Sequence, residues 1–360
     1  MFNFDFEIED DGVNRLEPEA TPPQIPNTEP FAELSLSQLL DSLPPLITYS
    51  PLSIPLSSSR KNVTLARRDL FDARFQLISE GEGDEPAAEK QRETPTPVSA
   101  LGFLDAPSDL VPGIYEGGLK TWECSLDLVG YLDGLRDPNS SYFSGKRILE
   151  VGCGTGIPSV YLLSCLFSEN STVNAHLVLQ DYNASVLELI TFPNIILAWY
   201  MSPASTEYRA TDAECPPADP TIPGELTITP SLKSAFTASV TRLGISLAFF
   251  SGSWESLATH LGSVGAKHDI ALTSETIYRT EALPALIQLL RQAYTATPSL
   301  CLVAAKVLYF GVGGGVSEFL RTLQSKTMVE RGLSGTAETV WGAESRSRPE
   351  NHADRLGLKR

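Results

Sequence analysis

Between Arg147 and Ala305 short, almost uniformly apolar runs alternate with longer amphipathic ones. Arg147–Val151, Ala175–Gln180, Ile245–Phe250, Asp269–Thr273 and Leu300–Ala305 have the length and side-chain character of strands. Between them Ile157–Phe167, Asn183 to about Leu197, Ser231–Leu243 and Thr280–Ala296 read as helices. Pro193 kinks its helix or caps a second turn, and Pro284 occupies a first turn, where its missing N–H costs little. Val316–Gln324 is a further helix and Glu338–Trp341 a candidate sixth strand. An earlier helix opens at Lys120 and runs to about Leu135. With right-handed crossovers this order folds into an α/β, doubly wound, mostly parallel sheet, whose ligands sit at the carboxyl ends of the strands.

The flanks follow other patterns. Residues 1–62 are acidic and hold nine prolines between Pro18 and Pro55, so they are expected to be a disordered tail. The Phe2, Phe4, Phe6 alternation fits a bare tail, an edge strand or a docking motif. Residues 63–97 are expected to form a helix and a charged linker. In Leu65–Ser79, Leu65, Leu70, Phe71, Phe75 and Ile78 share a face with Arg67, Arg68 and Arg74 outside it; Glu80–Pro97 is the linker. The sheet domain is bounded at 98–345, with 202–230 as a Pro-rich surface insertion without catalytic duty and 346–360 as a polar tail.

Composition narrows the function. The 360 residues are 42% hydrophobic and carry a net charge of −17. The first hundred hold 18 acidic against 8 basic side chains. A broad face for nucleic acid needs a basic footprint, so direct binding to nucleic acid is not expected, whereas a basic protein partner is attracted. The five cysteines are scattered without a C-x-x-C pair, which argues against structural zinc and for a reduced, intracellular setting. No stretch approaches 18 uninterrupted apolar residues, so no membrane partner is expected, and Met1–Glu7 lacks the features of a secretory signal.

The chemistry centres on Leu149-Glu150-Val151-Gly152-Cys153-Gly154-Thr155-Gly156, a strand that ends in a glycine loop before a helix. A dinucleotide fingerprint would place its third glycine where Ile157 stands. Glu150 favours a cationic or hydroxyl-rich ligand over a bare phosphate, and the loop is read as holding S-adenosyl-L-methionine through Gly152, Gly154 and Gly156; a plain turn is the alternative. Asp181, at the tip of the next strand, is placed to accept hydrogen bonds from both ribose hydroxyls. Trp122 opens a helix, and Trp254 follows Gly252-Ser253 at a strand tip where it can stack on a flat base; core packing is the alternative for both. Ser274-Glu275-Thr276-Ile277-Tyr278 lies at the fourth strand's tip. Tyr309 precedes Gly311, Gly313, Gly314 and Gly315, a glycine density expected where ligand or substrate comes close.

Lys120-Thr121-Trp122-Glu123-Cys124, the glycine loop, Gln180-Asp181-Tyr182-Asn183, Ser251-Gly252-Ser253-Trp254, Thr273–Tyr278 and Tyr309–Gly315 occur in that order. Together they resemble the protein-histidine methyltransferase family, seven-β-strand (class I, Rossmann-like) enzymes of the cytoplasm and nucleus, over about residues 63–326. The resemblance implies S-adenosylmethionine-dependent methylation of a histidine in a large-subunit ribosomal protein. It also implies that Trp122, Glu123, Cys124, Gly152, Gln180, Asp181, Tyr182, Gly252, Ser253, Trp254 and Ser274 line the cofactor site. Relatives end in a hairpin of strands six and seven. Here the chain after Trp341 is polar and closes on Gly357-Leu358-Lys359-Arg360, so the last strand is expected to be missing, through truncation or an altered frame, leaving a sheet edge exposed. A monomer is expected.

Methyl transfer from a sulfonium is an in-line displacement that needs positioning and exclusion of water. A histidine acceptor is largely neutral at pH 7, so no strong base is required. Glu275 is the candidate acceptor for the N–H of the imidazole nitrogen that is not methylated, with Tyr278 and Tyr309 as orienting groups; a bond from a backbone amide is the other reading of Glu275. A protein-lysine methyltransferase and a non-catalytic binder of ribosomal protein are the rival functions.

Overall fold

The computed structural model describes residues 30–56, 61–79, 110–111, 115–136, 141–211, 215–294, 299–309, 313–342 and 354–359. The phenylalanine alternation of residues 2–6, the linker 80–97, Gly311 and most of the expected polar tail lie outside them.

In chain order the strands are β1 (Ala32–Leu34), β2 (Leu46–Pro55), β3 (Asn62–Arg68), β4 (Leu110–Val111), β5 (Tyr115–Glu116), β6 (Arg147–Val151), β7 (His176–Asp181), β8 (Gly224–Thr227), β9 (Ser246–Ser251), β10 (Ile270–Ser274), β11 (Leu300–Ala304), β12 (Thr336–Gly342) and β13 (Asp354–Lys359). Eight form one sheet in the order β1-β9-β7-β6-β10-β11-β13-β12. The five strands from β9 to β11 are parallel, as the alternation of elements predicts. The chain winds outward from β6 through β7 to β9, then returns to lay β10 on the other side of β6. The topological switch point, where such sheets bind ligands, therefore lies at the tips of β6 and β10.

Strands covered on both faces read as continuous apolar runs, and the period of two sorts their side chains. Ile148, Leu177, Leu179, Phe249, Leu272 and Leu302 enter a core with the helices Ile157–Leu166 and Phe192–Tyr200. Leu149, Val151, Val178, Phe250, Ala271 and Val303 enter a second core with the helices Trp254–Val264, Leu283–Ala293 and Val316–Leu323.

Three expectations are corrected. Residues 30–56 are ordered rather than part of a disordered tail. Ser35 and Gln38 form a reciprocal capping box on the helix Leu36–Asp41, and β2 is the central strand of a second sheet, β3-β2-β8. The prolines that argued against β2 fall where they do little harm. Pro51 pairs with Ala66 of β3, beyond the Leu46–Tyr49 stretch that β8 covers, so among the described residues no partner strand lies on its other side. Ile47, Tyr49 and Ile54 then bury the strand.

The segment read as a helix from Leu65 is strand β3 as far as Arg68, and the helix is Leu70–Ser79. Arg68, expected outside, is 1% exposed; its guanidinium pairs with Asp72 (2.7 Å) and donates to Leu189 O (2.7 Å). Phe71 and Phe75, expected to pack, are exposed and meet each other edge to face. The Pro-rich insertion likewise supplies β8, whose Leu226 is buried, and a helical turn, Thr206–Arg209.

The third correction is at the C-terminus. Asp354–Lys359 forms β13, antiparallel between β11 and β12, with Cys301 opposite Leu358 and Ala337 opposite Leu358 on the other side. β11 therefore has a neighbour on each side and no edge is exposed there.

Candidate active site

Four strand tips converge. The loop after β6 passes through Gly152, Gly154 and Gly156, all at positive φ. At Gly154 a β-carbon would also stand 3.3 Å from the Gly118 backbone, so this turn is closed by its own chain as well as shaped for a ligand. The loop's amides are taken by the tip of β7: Gly152 N donates to Gln180 Oε1 (3.2 Å), Cys153 N to Gln180 O (2.8 Å) and Gly154 N to Asp181 Oδ2 (2.8 Å). Gln180 Nε2 in turn donates to Gly252 O (2.8 Å), tying in the tip of β9. Asp181, 5% exposed, also accepts from Asn183 N (3.2 Å), which fixes its carboxylate before any ligand arrives.

Glu150 has a different place from the one its spacing predicted. Two residues on from Ile148 it shares that side chain's face, away from the ligand side, and is 2% exposed. It accepts from Ser159 N (2.9 Å) and from Ser159 Oγ, closing the first turn of the helix that follows the loop. Burial, with a smaller contribution from the charge of Asp181, pushes its pKa up to about 7. At the opposite end of the sheet, burial lowers the pKa of His268 to about 4. The two linkages oppose each other. Glu150 stabilises the fold below pH 4.5 and loses that contribution as pH rises through 7; His268 contributes above pH 6.5 and loses it as pH falls toward 4. Between about pH 4.5 and 6.5 they cancel. Glu150→Gln is expected to leave His268 unopposed, so that its unfolding free energy changes relative to native by about 1.4 kcal/mol per pH unit across that window. Urea titrations at several pH values measure this, and parallel pH profiles for the two proteins would refute it.

The tip of β10 holds the second cluster. Glu275 adopts φ 57°, a backbone conformation that an ordinary side chain enters at a cost of about 1–3 kcal/mol. It is 8% exposed. Its Oε1 accepts from Cys124 N (3.3 Å) and its Oε2 from the Tyr309 hydroxyl (2.5 Å). Burial and the charge of Glu275 push the Tyr309 pKa far up, so the phenol stays a donor. Tyr278 is half-buried with its ring 6.3 Å from that of Tyr309. Trp122 caps the helix Glu123–Gly134 and lies under Lys306 Nζ (5.9 Å), which also pairs with exposed Glu123 (3.7 Å). Cys124 joins the cluster through its amide, and its side chain is buried in the core. Ser253 caps the helix that Trp254 begins, and both are half-buried, as is Tyr182.

The glycines after Tyr309 were expected to admit a ligand. Gly315 N donates to Ile277 O (2.9 Å), and a β-carbon on Gly314 would overlap Tyr278 O. Gly314 is therefore required by the backbone of Ile277 and Tyr278, and Gly315, at φ 137°, by the carbonyl of Val307, 2.5 Å from where its β-carbon would stand, while Gly313 is exposed.

Several site residues escaped the sequence reading. Thr191 Oγ1 donates to Gly154 O (2.6 Å), Asn194 Nδ2 to Thr155 O (2.9 Å) and Asn183 Nδ2 to Gly117 O (3.0 Å). A signal existed: tyrosine aside, Thr191 and Asn194 are the only polar side chains between Leu189 and Tyr200. Three residues apart on a helix, they share a face, and buried polar groups need partners.

The residues present fit S-adenosylmethionine. A buried carboxylate at the tip of β7 suits a ribose diol, and the acids Asp181 and Glu275 suit a cationic sulfonium. The Ser274 hydroxyl, buried and without a hydrogen-bond partner among the described residues, could meet a polar group of such a ligand.

No protein-family model matches the chain. It is 36% identical over 310 residues to histidine protein methyltransferase 1 of Saccharomyces cerevisiae, covering 84% of this chain and 77% of that protein. It is 33% identical over 295 residues to histidine protein methyltransferase 1 of Schizosaccharomyces pombe, covering 81% and 76%. Among solved structures, an S-adenosylmethionine-dependent methyltransferase from Agrobacterium tumefaciens superposes at a TM-score of 0.37 with 12% identity, over 66% of this chain and 62% of that one, too weak a likeness to carry weight. The two yeast proteins match most of their own length and most of this chain, and on that ground the chain belongs to the histidine protein methyltransferase 1 family.

Proposed function

We propose that the protein transfers the methyl group of S-adenosylmethionine to an imidazole nitrogen of a histidine in a basic protein, with a large-subunit ribosomal protein as the candidate substrate. The observation that carries this reading is the pairing of two preorganised acids across the switch point, Asp181 at the tip of β7 and Glu275 at the tip of β10. Asp181 holds the ribose, Trp254 flanks the adenine, and Ser274 takes a polar group of the cofactor. When bound, the cofactor supplies an electrophilic methyl group. The neutral imidazole nitrogen forms the new N–C bond as the S–C bond breaks, S-adenosylhomocysteine leaves, and the ring's other N–H proton passes to solvent.

Glu275 serves through its charge. With Tyr309 donating to one oxygen and Cys124 N to the other, it stays fixed opposite the imidazolium that forms, which costs no reorganisation during transfer. Tyr278 and Tyr309 place aromatic walls beside that cation. The net charge of −17 supports a basic substrate, and the names of the relatives support a histidine acceptor.

The test is incubation of a ribosomal fraction with methyl-labelled S-adenosylmethionine, followed by mass spectrometry of the modified peptide. A methyl group on histidine is expected. A methyl group on lysine, or no transfer to any ribosomal protein, would overturn the assignment.

A further inference from the structure

Arg67 is a half-buried guanidinium with no acidic partner among the described residues of a strongly acidic protein. Its Nη1 donates to Thr121 Oγ1 (3.2 Å), and that hydroxyl donates to Thr155 Oγ1 (3.2 Å) in the glycine loop. The strand that carries it is fixed against the same loop by the next residue. Arg68 N donates to Asn194 Oδ1 (2.8 Å), whose Nδ2 donates to Thr155 O (2.9 Å). The Arg68 side chain is locked by Asp72 and Leu189 O. Arg67 is therefore held beside Thr155 by a buried polar frame, with its remaining N–H groups uncommitted among the described residues.

We propose that Arg67 binds the α-carboxylate of the cofactor's methionine moiety, with Thr121 and Thr155 aligning it. This rests on the reading of the site as one for S-adenosylmethionine. If Asp181 takes the ribose, the amino-acid tail has to run along the glycine loop. Asp181 Oδ2 lies 2.8 Å from Gly154 N, and Thr155, the next residue, leads through Thr121 to Arg67. The tail ends in an anion. Asp181 and Glu275 flank the site with carboxyl groups, so an unpaired carboxylate there is unfavourable without a cation. Lys306, a second base in this region, is paired with Glu123 and lies over Trp122. A planar, always charged fork suits a carboxylate better than an ammonium does.

The test compares two ligands in native protein, Arg67→Ala and Arg67→Lys by calorimetry and competition. S-adenosylhomocysteine carries the carboxylate; decarboxylated S-adenosylmethionine lacks that group. Arg67→Ala is expected to weaken S-adenosylhomocysteine by roughly 10- to 100-fold, the range for hydrogen bonds to a charged group, while leaving decarboxylated S-adenosylmethionine within about twofold of native. Arg67→Lys is expected to recover part of the loss. In turnover, the KM for S-adenosylmethionine should rise with kcat at saturation unchanged. Equal weakening of both ligands would mean that Arg67 only shapes the loop, and no weakening of either would remove it from the site; each overturns the proposal while leaving the cofactor reading intact. Native protein that binds neither ligand would overturn both.

Discussion

Asp181→Ala is expected to weaken S-adenosylmethionine by at least a hundredfold. The carboxylate is asked to accept two ribose hydroxyls, and hydrogen bonds to a charged acceptor contribute about 1.5–3 kcal/mol each, where 1.4 kcal/mol is a factor of ten. Its removal has a second cost. Gly154 N and Asn183 N both donate to Asp181, so the variant leaves two amides of the cofactor loops without their acceptor. Asp181→Asn separates the two contributions. It keeps one carbonyl oxygen for a ribose hydroxyl or for one amide, and turns an NH2 toward a donor on the other side. It should fall between native and Asp181→Ala in affinity. The acceptor site is proposed at β10, so kcat at saturating cofactor should change far less than KM. Calorimetry with S-adenosylhomocysteine and steady-state kinetics read both quantities. A dissociation constant within threefold of native for Asp181→Ala would remove Asp181 as the ribose anchor.

Much of this architecture is visible in the sequence because of how a doubly wound sheet buries itself. Both faces of β6, β7, β9, β10 and β11 are covered, so each strand is an apolar run that stands out between amphipathic helices. The same simplicity hides the function of Glu150. Its distance from Gly152 places it beside the loop, but the face it takes depends on the strand's period of two, which groups it with Ile148 and delivers it to Ser159. Strands outside that pattern are harder to see. β2 contains prolines, and only the register shows that Pro51 lies where the strand has a single neighbour. β13 is short and mixed in polarity, and its position between β11 and β12 comes from long-range pairing that no local pattern records. Arg68 shows the converse. A lone arginine normally marks a surface, and here Asp72, Asn194 and the Leu189 carbonyl, two of them more than a hundred residues away in sequence, turn it inward.

The glycines after Tyr309 lead to the second large effect, on turnover rather than on cofactor affinity. A ligand-facing glycine tolerates alanine unless the ligand is present. Gly314 cannot, because the added methyl would meet the carbonyl of Tyr278 inside the protein itself. Gly314→Ala must therefore push Gly314 and Gly315, with Leu308 that bridges to Gly315, off the Ile277–Tyr278 backbone, breaking Gly315 N to Ile277 O (2.9 Å) and drawing Tyr309 from Glu275. Glu275 then keeps its φ of 57° with one of its two side-chain anchors gone. An acid that acts by being fixed in place loses that advantage when its support relaxes; displacements of about 1 Å at a reacting centre cost about 100-fold in rate. The expected result is a kcat lower by about that factor, with S-adenosylhomocysteine affinity within a few-fold of native, because Asp181 and the Gly152–Gly156 loop are braced by Gln180, Thr191 and Asn194 instead. Tyr309→Phe removes the same bond without moving the backbone and should lose less, about tenfold, since a single hydrogen bond is at stake. A Gly314→Ala enzyme with native kcat would show that the cluster at β10 does not set the rate. A Tyr309→Phe enzyme slower than Gly314→Ala would assign the hydroxyl itself, rather than the fixing of Glu275, to the chemistry of transfer.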